Sequence, residues 1–234
     1  MLNLIGALAL NTAVHCGYEG EVRAIGLARQ PGSGELVYCE YHLPARGQRS
    51  RVLYYSPAGH RIAEKKLESR GGGSPHNTPR PQVRQQDYRH GEERQVLWKG
   101  SVWQLRYRQA GGASWESARL EAHQADVVDA GFDAFVRQNW SRLAAGEPVE
   151  FSFASPLHGR AVTLRARKVT CKKGGQGTLC LQVDLAQPLL RLFAGNLYLV
   201  YGVGNRQLRT FDGIVNLLDS EGESQRLRID YHYP

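Results

Sequence analysis

Alternation of apolar and polar residues with a period of two runs through most of the chain from residue 17 onward. In three segments the alternating apolar residues are Val37, Cys39, Tyr41 and Leu43, then Trp103, Leu105 and Tyr107, then Leu179, Leu181, Val183 and Leu185. A strand points successive side chains to opposite faces, so this pattern is typical of an antiparallel sheet with one buried face. The sequence therefore predicts a mainly β protein.

One segment has the period of a helix instead. Its apolar residues form a single stripe within residues 129–145: Phe132, Phe135, Val136, Trp140 and Leu143. Asp129 can cap the first turn, and Gly146, followed by Pro148, ends the segment. We predict one amphipathic helix over 129–145 and a second short helix over 188–194, which begins with a proline and stops before Gly195.

The strands and the first helix together indicate an architecture. A long sheet with one apolar face must curl around an amphipathic helix to bury it. We therefore predict a mainly β (α+β) fold, in which a large curved antiparallel sheet or open half-barrel wraps around helix 129–145. The C-terminal third reads as a three-stranded meander. Residues 15–234 form a single domain in this prediction, with a Gly/Pro-rich loop at 70–81.

The four cysteines fall into two local pairs. Cys171 and Cys180 flank a Gly-rich turn, and Cys16 and Cys39 flank a possible hairpin with its turn at 31–34. Strands that fold back across such turns bring Cβ atoms within the range of a disulfide. Free buried thiols are the alternative, and a zinc site is less favoured because Cys-x-x-Cys spacing is absent. Two disulfides would fit an oxidising compartment such as the periplasm.

The first fourteen residues are apolar and almost uncharged, which resembles the hydrophobic core of a secretory signal. A buried first strand is the alternative interpretation. Beyond this segment no apolar run approaches the roughly 20 residues that span a bilayer, so we predict a protein that does not cross a membrane.

The formal net charge of +8 favours contact with anionic partners. The arginines, however, are spread along the chain in pairs at spacing two, such as Arg165 with Arg167 and Arg226 with Arg228. This spacing is typical of the solvated outer face of a sheet. A nucleic-acid groove is a weaker alternative, because no nucleic-acid-binding motif accompanies the charge.

No motif for catalysis, metal binding or cofactor binding occurs, so we predict neither a metal nor a cofactor, and we identify no catalytic residues. The candidate lining of a ligand cleft consists of large aromatic residues in the strands and the helix: Trp98, Trp103, Phe132, Phe135 and Trp140. Plain core packing is the alternative role for these side chains.

Several segments resemble an uncharacterised family of exported proteobacterial proteins: 197–201, 209–217, 228–231, 129–140 and 34–38. The meander is also similar, more weakly, to the lipoprotein-carrier fold, an open antiparallel half-barrel closed by helices. That resemblance implies an acyl chain or another apolar ligand in the concavity, because proteins of this fold bind such ligands there.

Three functions follow as hypotheses. The first is a periplasmic binding or carrier protein for a lipid or other apolar ligand, held between the curved sheet and helix 129–145. The second is an envelope interaction protein that presents its basic outer face to anionic lipid, glycan or protein. The third is an enzyme on the same scaffold, for which a polar cluster with perturbed carboxylates inside the cleft would be the evidence.

Overall fold

Strands make up about half of the residues that the structure describes, as the alternation predicts. The computed structural model describes residues 16–172, 176–186 and 196–234; the predicted leader 1–14 and the predicted helix 188–194 lie outside these residues. The described part contains these strands: β1 (Ala24–Arg29), β2 (Leu36–His42), β3 (Arg49–Tyr55), β4 (Arg61–Glu68), β5 (Gln82–Asp87), β6 (Glu93–Lys99), β7 (Val102–Arg108), β8 (Glu116–Glu121), β9 (Val127–Val128), β10 (Val149–Ser155), β11 (Arg160–Lys168), β12 (Thr178–Leu185), β13 (Leu197–Gly202), β14 (Leu208–Leu218) and β15 (Ser224–His232).

All of these strands form one sheet of 15 strands, in the order β8-β7-β6-β5-β4-β3-β2-β1-β15-β14-β13-β12-β11-β10-β9. All neighbouring strands of this sheet are antiparallel except β9 and β10, which form a short parallel pair. The pairing of β1 with β15 places Ile25 opposite His232 and Arg29 opposite Arg228. This pairing joins the N-terminal strands to the predicted C-terminal meander, which is confirmed as β13–β15.

The two edge strands of the sheet, β8 and β9, are neighbours in sequence. Only residues 122–126 connect them, including a 3-10 turn at Ala122–Gln124. A connection of this length reaches about 20 Å when fully extended, so it holds the two edges close together. In agreement, a Cβ on Gly159, in the turn after β10, would lie 3.5 Å from the Cβ of Ala118 on β8. The sheet is strongly curved but open, since no ladder joins β8 to β9 within the described residues.

The concave side of β3–β8 is filled by other strands. Apolar residues of β5, β6 and β7 form one cluster with the β14–β15 hairpin: Val83, Val96, Leu105, Leu217 and Leu227. The side-chain amide of Gln85 donates a 2.9 Å hydrogen bond to the carbonyl oxygen of Asn216. The far end of the β14–β15 hairpin therefore crosses the concave face of the N-terminal half of the sheet.

The predicted helix fills the other half of the concave side. Its apolar stripe packs against β10, β12 and β13 in a second cluster: Phe135, Val136, Trp140, Leu143, Phe151, Leu181 and Leu199. The prediction of a large curved sheet around an amphipathic helix is confirmed. The helix accounts for only part of the concavity, however, because the N-terminal strands curve around a hairpin of the same sheet.

The helical segment is shorter and more divided than a single helix over 129–145. It consists of a 3-10 turn at Asp129–Gly131, then α1 (Phe132–Gln138) and α2 (Trp140–Ala144). Between α1 and α2, the side chain of Asn139 donates a 3.0 Å hydrogen bond to the carbonyl oxygen of Phe135. Gly146 ends the segment with a φ of +91°, as a C-terminal glycine does. Among the described residues, no helix combines the length and the apolar character needed to cross a membrane.

Asp129 does not cap this segment, so that prediction is wrong. Its backbone has a φ of +41°, and no side-chain capping bond is present at the start of either the 3-10 turn or α1. The carboxylate instead accepts hydrogen bonds from Lys65 and Asn216. A long-range ion pair has therefore taken the place of the local cap.

The Gly/Pro-rich loop 70–81 packs against the start of the helical segment. It contains a 3-10 turn at Pro75–Asn77, and the Ser74 side chain caps this turn. The amide of Val128 donates a 2.9 Å hydrogen bond to the carbonyl oxygen of Pro79. A Cβ on Gly131 would overlap the same oxygen, so a residue without a side chain is required there. The loop is thereby fixed to the region where the concave side meets the helix.

A third, smaller cluster lies on the outer face of β1–β3. It contains Cys39, Tyr41 and Leu43 of the apolar face that the alternation indicates, whereas Val37 packs against the first cluster; the N-terminal segment covers the outer cluster. The amide of Cys16 donates a 2.8 Å hydrogen bond to the hydroxyl of Tyr41, and the ring of Tyr18 packs 5.0 Å from that of Tyr41. Strand β2 is consequently covered on both faces.

Both predicted disulfides are confirmed. They join Cys16 to Cys39 and Cys171 to Cys180, with Cα–Cα distances of 6.0 and 5.3 Å, and no free cysteine is present among the described residues. The first bond ties the N-terminal segment to the outer face of β2, and the second ties residue 171 to β12.

We expect the Cys16–Cys39 disulfide to contribute more to stability than the other one. It spans 23 residues rather than 9, and closing a longer loop removes more entropy from the unfolded chain. The double variant Cys16→Ala/Cys39→Ala should lower the free energy of unfolding in urea by about 3 kcal/mol. Cys171→Ala/Cys180→Ala is the matched control, and an equal or larger loss in the control would contradict this expectation.

Candidate functional site

A cavity of about 340 Å³ lies between the concave face of the sheet and the start of the helical segment. Residues from both halves of the sheet line it, since the strong curvature brings these halves together. Part of the lining is apolar and comes from β11–β14: Leu164, Val183, Leu197, Leu199, Leu208 and Phe211. We call these residues the apolar wall.

A second part of the lining is polar and comes from β2, β3, β4, β15 and the start of the helical segment. We call it the polar wall: Tyr38, Glu40, His42, Tyr54, Lys65, Asp129 and Tyr231. On β2 these residues alternate with those of the outer cluster, which directs them to the concave side. Gly26, opposite Glu40 on β1, leaves space for the carboxylate, because a Cβ there would lie 3.1 Å from its Oε2.

Glu40 organises one end of the polar wall. Its Oε2 accepts a 3.1 Å hydrogen bond from the hydroxyl of Tyr231 and lies 3.2 Å from Nε2 of His42. Burial, and then the charge of Glu40, raise the pKa values of Tyr38, Tyr54 and Tyr231 well above their ordinary value. The three phenols therefore stay protonated at neutral pH and can act as hydrogen-bond donors.

Lys65 and Asp129 form a buried ion pair in the polar wall. Nζ of Lys65 lies 2.5 Å from Oδ1 of Asp129, and only 5% and 14% of the two side chains are exposed. The side chain of Asn216 donates a 3.2 Å hydrogen bond to the other carboxylate oxygen. The pair thus joins β4, the start of the helical segment and β14 at the cavity.

Charged and titratable residues surround a further part of the lining, which includes Arg23, His76, Asp133 and Tyr233. Asp133 forms a 3.2 Å ion pair with Arg137. Burial, and then electrostatic interaction with Arg23 and His42, lower the pKa of His76 to about 4. The imidazole of His76 is therefore neutral at neutral pH, and its buried Nε2 makes no hydrogen bond within the described part of the chain.

The structure separates the five aromatic residues that the sequence indicates as cleft lining. Phe132 lines the cavity, and the other four do not. Trp98 and Trp103 pack edge to face, with ring centroids 5.1 Å apart, in the cluster that β5–β7 form with the β14–β15 hairpin. The guanidinium of Arg70 lies 3.6 Å from the centroid of the Trp98 ring. Phe135 and Trp140 belong to the second cluster, in which the helical segment packs against β10, β12 and β13. These four side chains have the packing role that was the alternative interpretation.

Sequence reasoning missed the polar wall. Glu40 and Lys65 occur in strands among other polar residues, and nothing in the alternation distinguishes them from solvated side chains. A usable indication existed for β2, because a disulfide at Cys39 implies that the outer face is covered. Glu40 and His42 on the opposite face then had to point to the inside.

A second concavity, of about 670 Å³, lies on the outer side of β3–β5 and has a basic lining. Most of its cations have acidic partners. Arg49 lies 3.3 Å from Glu68, Arg51 lies 3.3 Å from Glu64, and Lys66 lies 3.7 Å from Glu64. These pairs reduce the positive potential that the net charge suggests for this surface.

The polar groups of the structure show no arrangement for metal binding. Within 16–172, 176–186 and 196–234, no three His, Cys, Asp or Glu side chains are grouped so that they could hold a metal ion. Among the described residues, the cavity lining contains no serine, threonine or cysteine, and its hydroxyl groups belong to tyrosines such as Tyr38, Tyr54 and Tyr231.

Comparison of the chain with protein-family models, curated proteins and solved structures finds no match. The resemblance to an exported proteobacterial family and to the lipoprotein-carrier fold therefore stays a prediction. Any inference about function depends on the geometry of the cavity.

We expect Lys65→Met to destabilise the protein strongly, because it leaves the buried Asp129 carboxylate without its cation. Loss of one partner of a buried ion pair costs about 3–5 kcal/mol. The double variant Lys65→Met/Asp129→Asn should recover much of this loss, and urea denaturation measures both. A double variant no more stable than Lys65→Met would contradict the pairing. The exposed pair Arg49–Glu68 is the control, and loss of its cation should lower the free energy of unfolding by less than about 1 kcal/mol.

The neutral His76 predicts a pH dependence of stability. Its pKa is about 4 in the folded protein and about 6.5 when unfolded, so the unfolded chain binds the extra proton between these values. The contribution of His76 to the free energy of unfolding is complete above about pH 6.5 and is lost as the pH falls towards 4. After allowance for the partial exposure of the side chain, this contribution is about 2 kcal/mol. His76→Asn should flatten the dependence of the urea midpoint on pH in this window. The exposed His60→Asn is the control, and an equal effect of both variants would contradict the assignment.

Proposed function

We propose that this protein is a binding or carrier protein for a lipid or other apolar ligand with a polar end, and that the cavity between the sheet and the helical segment holds it. The observation that carries this proposal is the division of one cavity into an apolar wall and a polar wall. An amphipathic ligand satisfies both walls at once, since its chain covers the leucine side chains and its polar end reaches the tyrosines and charged groups.

The size of the cavity supports this function. A volume of about 340 Å³ falls in the range of roughly 300–1,000 Å³ that is usual for small-molecule sites. Each methylene group transferred from water to the apolar wall contributes about 0.8 kcal/mol. A medium-length acyl or alkyl chain therefore gains enough free energy for micromolar binding even after the cost of immobilisation.

The polar wall is organised before any ligand binds. Glu40 has Tyr231 and His42 as partners, and Lys65 has Asp129. Groups that satisfy each other need not rearrange when a ligand enters, which lowers the cost of binding. This preorganisation supports a binding role for the cavity.

The compartment belongs to the same proposal. Two disulfides join all four cysteines, and such bonds persist in oxidising compartments. The periplasm, or another location reached by export, is therefore the proposed place of action. The alternative function, contact of the basic outer face with anionic envelope components, has less support because Arg49, Arg51 and Lys66 already have glutamate partners.

The cavity should take up a neutral apolar dye. We expect N-phenyl-1-naphthylamine to bind the delipidated protein with enhanced fluorescence, and dodecan-1-ol to displace it. Leu208→Trp, a half-buried position in the apolar wall, should weaken dye binding at least tenfold because the larger ring occupies the cavity. Val203→Trp, at a site that is 47% exposed, is the matched control. Absence of dye binding, or equal affinities in the two variants, would overturn the proposal.

A further inference from the structure

Among the charged residues that line the cavity, Arg23 is the one whose side chain has no ion-pair partner within the described residues. It immediately precedes β1, and its amide donates a 2.7 Å hydrogen bond to the carbonyl oxygen of His42. Its side chain is half-buried and lines the cavity. Within the described residues its guanidinium makes no ion pair and no hydrogen bond.

The other charged groups of the cavity have partners. Lys65 pairs with Asp129, and His42 lies beside Glu40. Asp133 pairs with Arg137, which stands just outside the lining. Since a partly buried cation without an acceptor is unfavourable, Arg23 is the one place in the described lining where an added anion would gain a strong contact.

Arg23 also lies near the apolar wall. Arg23, His76 and Tyr233 line the same cavity, and the charge of Arg23 lowers the pKa values of the other two side chains. The hydroxyl of Tyr233 donates a 2.9 Å hydrogen bond to the carbonyl oxygen of Leu208, a residue of the apolar wall. A ligand whose chain lies along the apolar wall can therefore place its end group beside Arg23.

We infer that the ligand of this cavity carries an anionic head group, a carboxylate or a phosphate monoester, and that Arg23 binds this group. The inference depends on the proposed function and adds the class of ligand to it. A guanidinium suits this role because its planar set of N–H donors matches two oxygens of a carboxylate or phosphate. Neutral His76 adds no competing charge beside it.

Three probes with the same chain test the inference: dodecanoic acid, dodecyl phosphate and dodecan-1-ol. Each displaces N-phenyl-1-naphthylamine from the wild-type protein at pH 8, below its aggregation concentration. We expect at least one of the two anions to bind tenfold or more tightly than the alcohol, in line with a charge-assisted hydrogen bond. The ratio between the acid and the phosphate tells which head group is preferred.

Arg23→Gln should weaken binding of the preferred anion about tenfold and change the affinity for the alcohol less than twofold. Arg23→Lys should recover part of the difference. Arg84→Gln removes an equal charge from an exposed position in the outer concavity, and it should leave all three affinities within twofold of wild type.

Three results would overturn the inference while leaving the proposed function intact. In the first, the wild-type protein binds the alcohol as tightly as both anions. In the second, Arg23→Gln weakens binding of the anion and of the alcohol equally. In the third, Arg84→Gln weakens binding of the anion as much as Arg23→Gln does. If neither the dye nor any of the three probes binds, the proposed function fails as well.

Discussion

The link of residues 122–126 between the two edge strands sets the curvature on which the rest of the structure depends. A sheet of 15 strands with distant edges could stay open and twisted, but β8 and β9 are held within about 20 Å of each other by this link. The pairing of β1 with β15 then makes the two halves of the sheet continuous. Because the halves face each other across one concavity, residues from β2 and β4 can line the same cavity as residues from β13.

The contents of the concavity explain where the cavity lies. One half encloses α1 and α2, and the other encloses the end of the β14–β15 hairpin. The cavity lies near the 3-10 turn at Asp129–Gly131, between these two fillings, and residues of both line it, Phe132 from α1 and Asn216 from β14. The positive φ of Asp129, which is uncommon for a residue with a side chain, places its carboxylate against Lys65. The ion pair thus holds the helical segment at the boundary of the cavity.

Local patterns in the sequence were sufficient to predict the strands and the helical segment, but not how these elements are arranged in the fold. Alternation predicted the strands, the stripe from Phe132 to Leu143 predicted the helical segment, and the Gly-rich turn between Cys171 and Cys180 predicted their disulfide. Period-two alternation assigns a residue to a face, yet it does not say which distant strand lies across from that face. For that reason Trp103 and Phe132 could not be distinguished from sequence, although one belongs to a core and the other lines the cavity. The cap predicted at Asp129 failed for the same reason, since its partner Lys65 is 64 residues away.

The cavity is too large to be an ordinary packing defect. Protein interiors are packed about as densely as organic crystals, and the voids they contain are rarely larger than a water molecule. A volume of about 340 Å³ that is partly open to solvent is instead accessible to water. Water forms hydrogen bonds with the polar wall but gains little beside Leu199 and Leu208. An amphipathic ligand would displace that water from the apolar wall and keep the hydrogen bonds of the polar wall, and this difference in free energy is the physical basis of the proposed function.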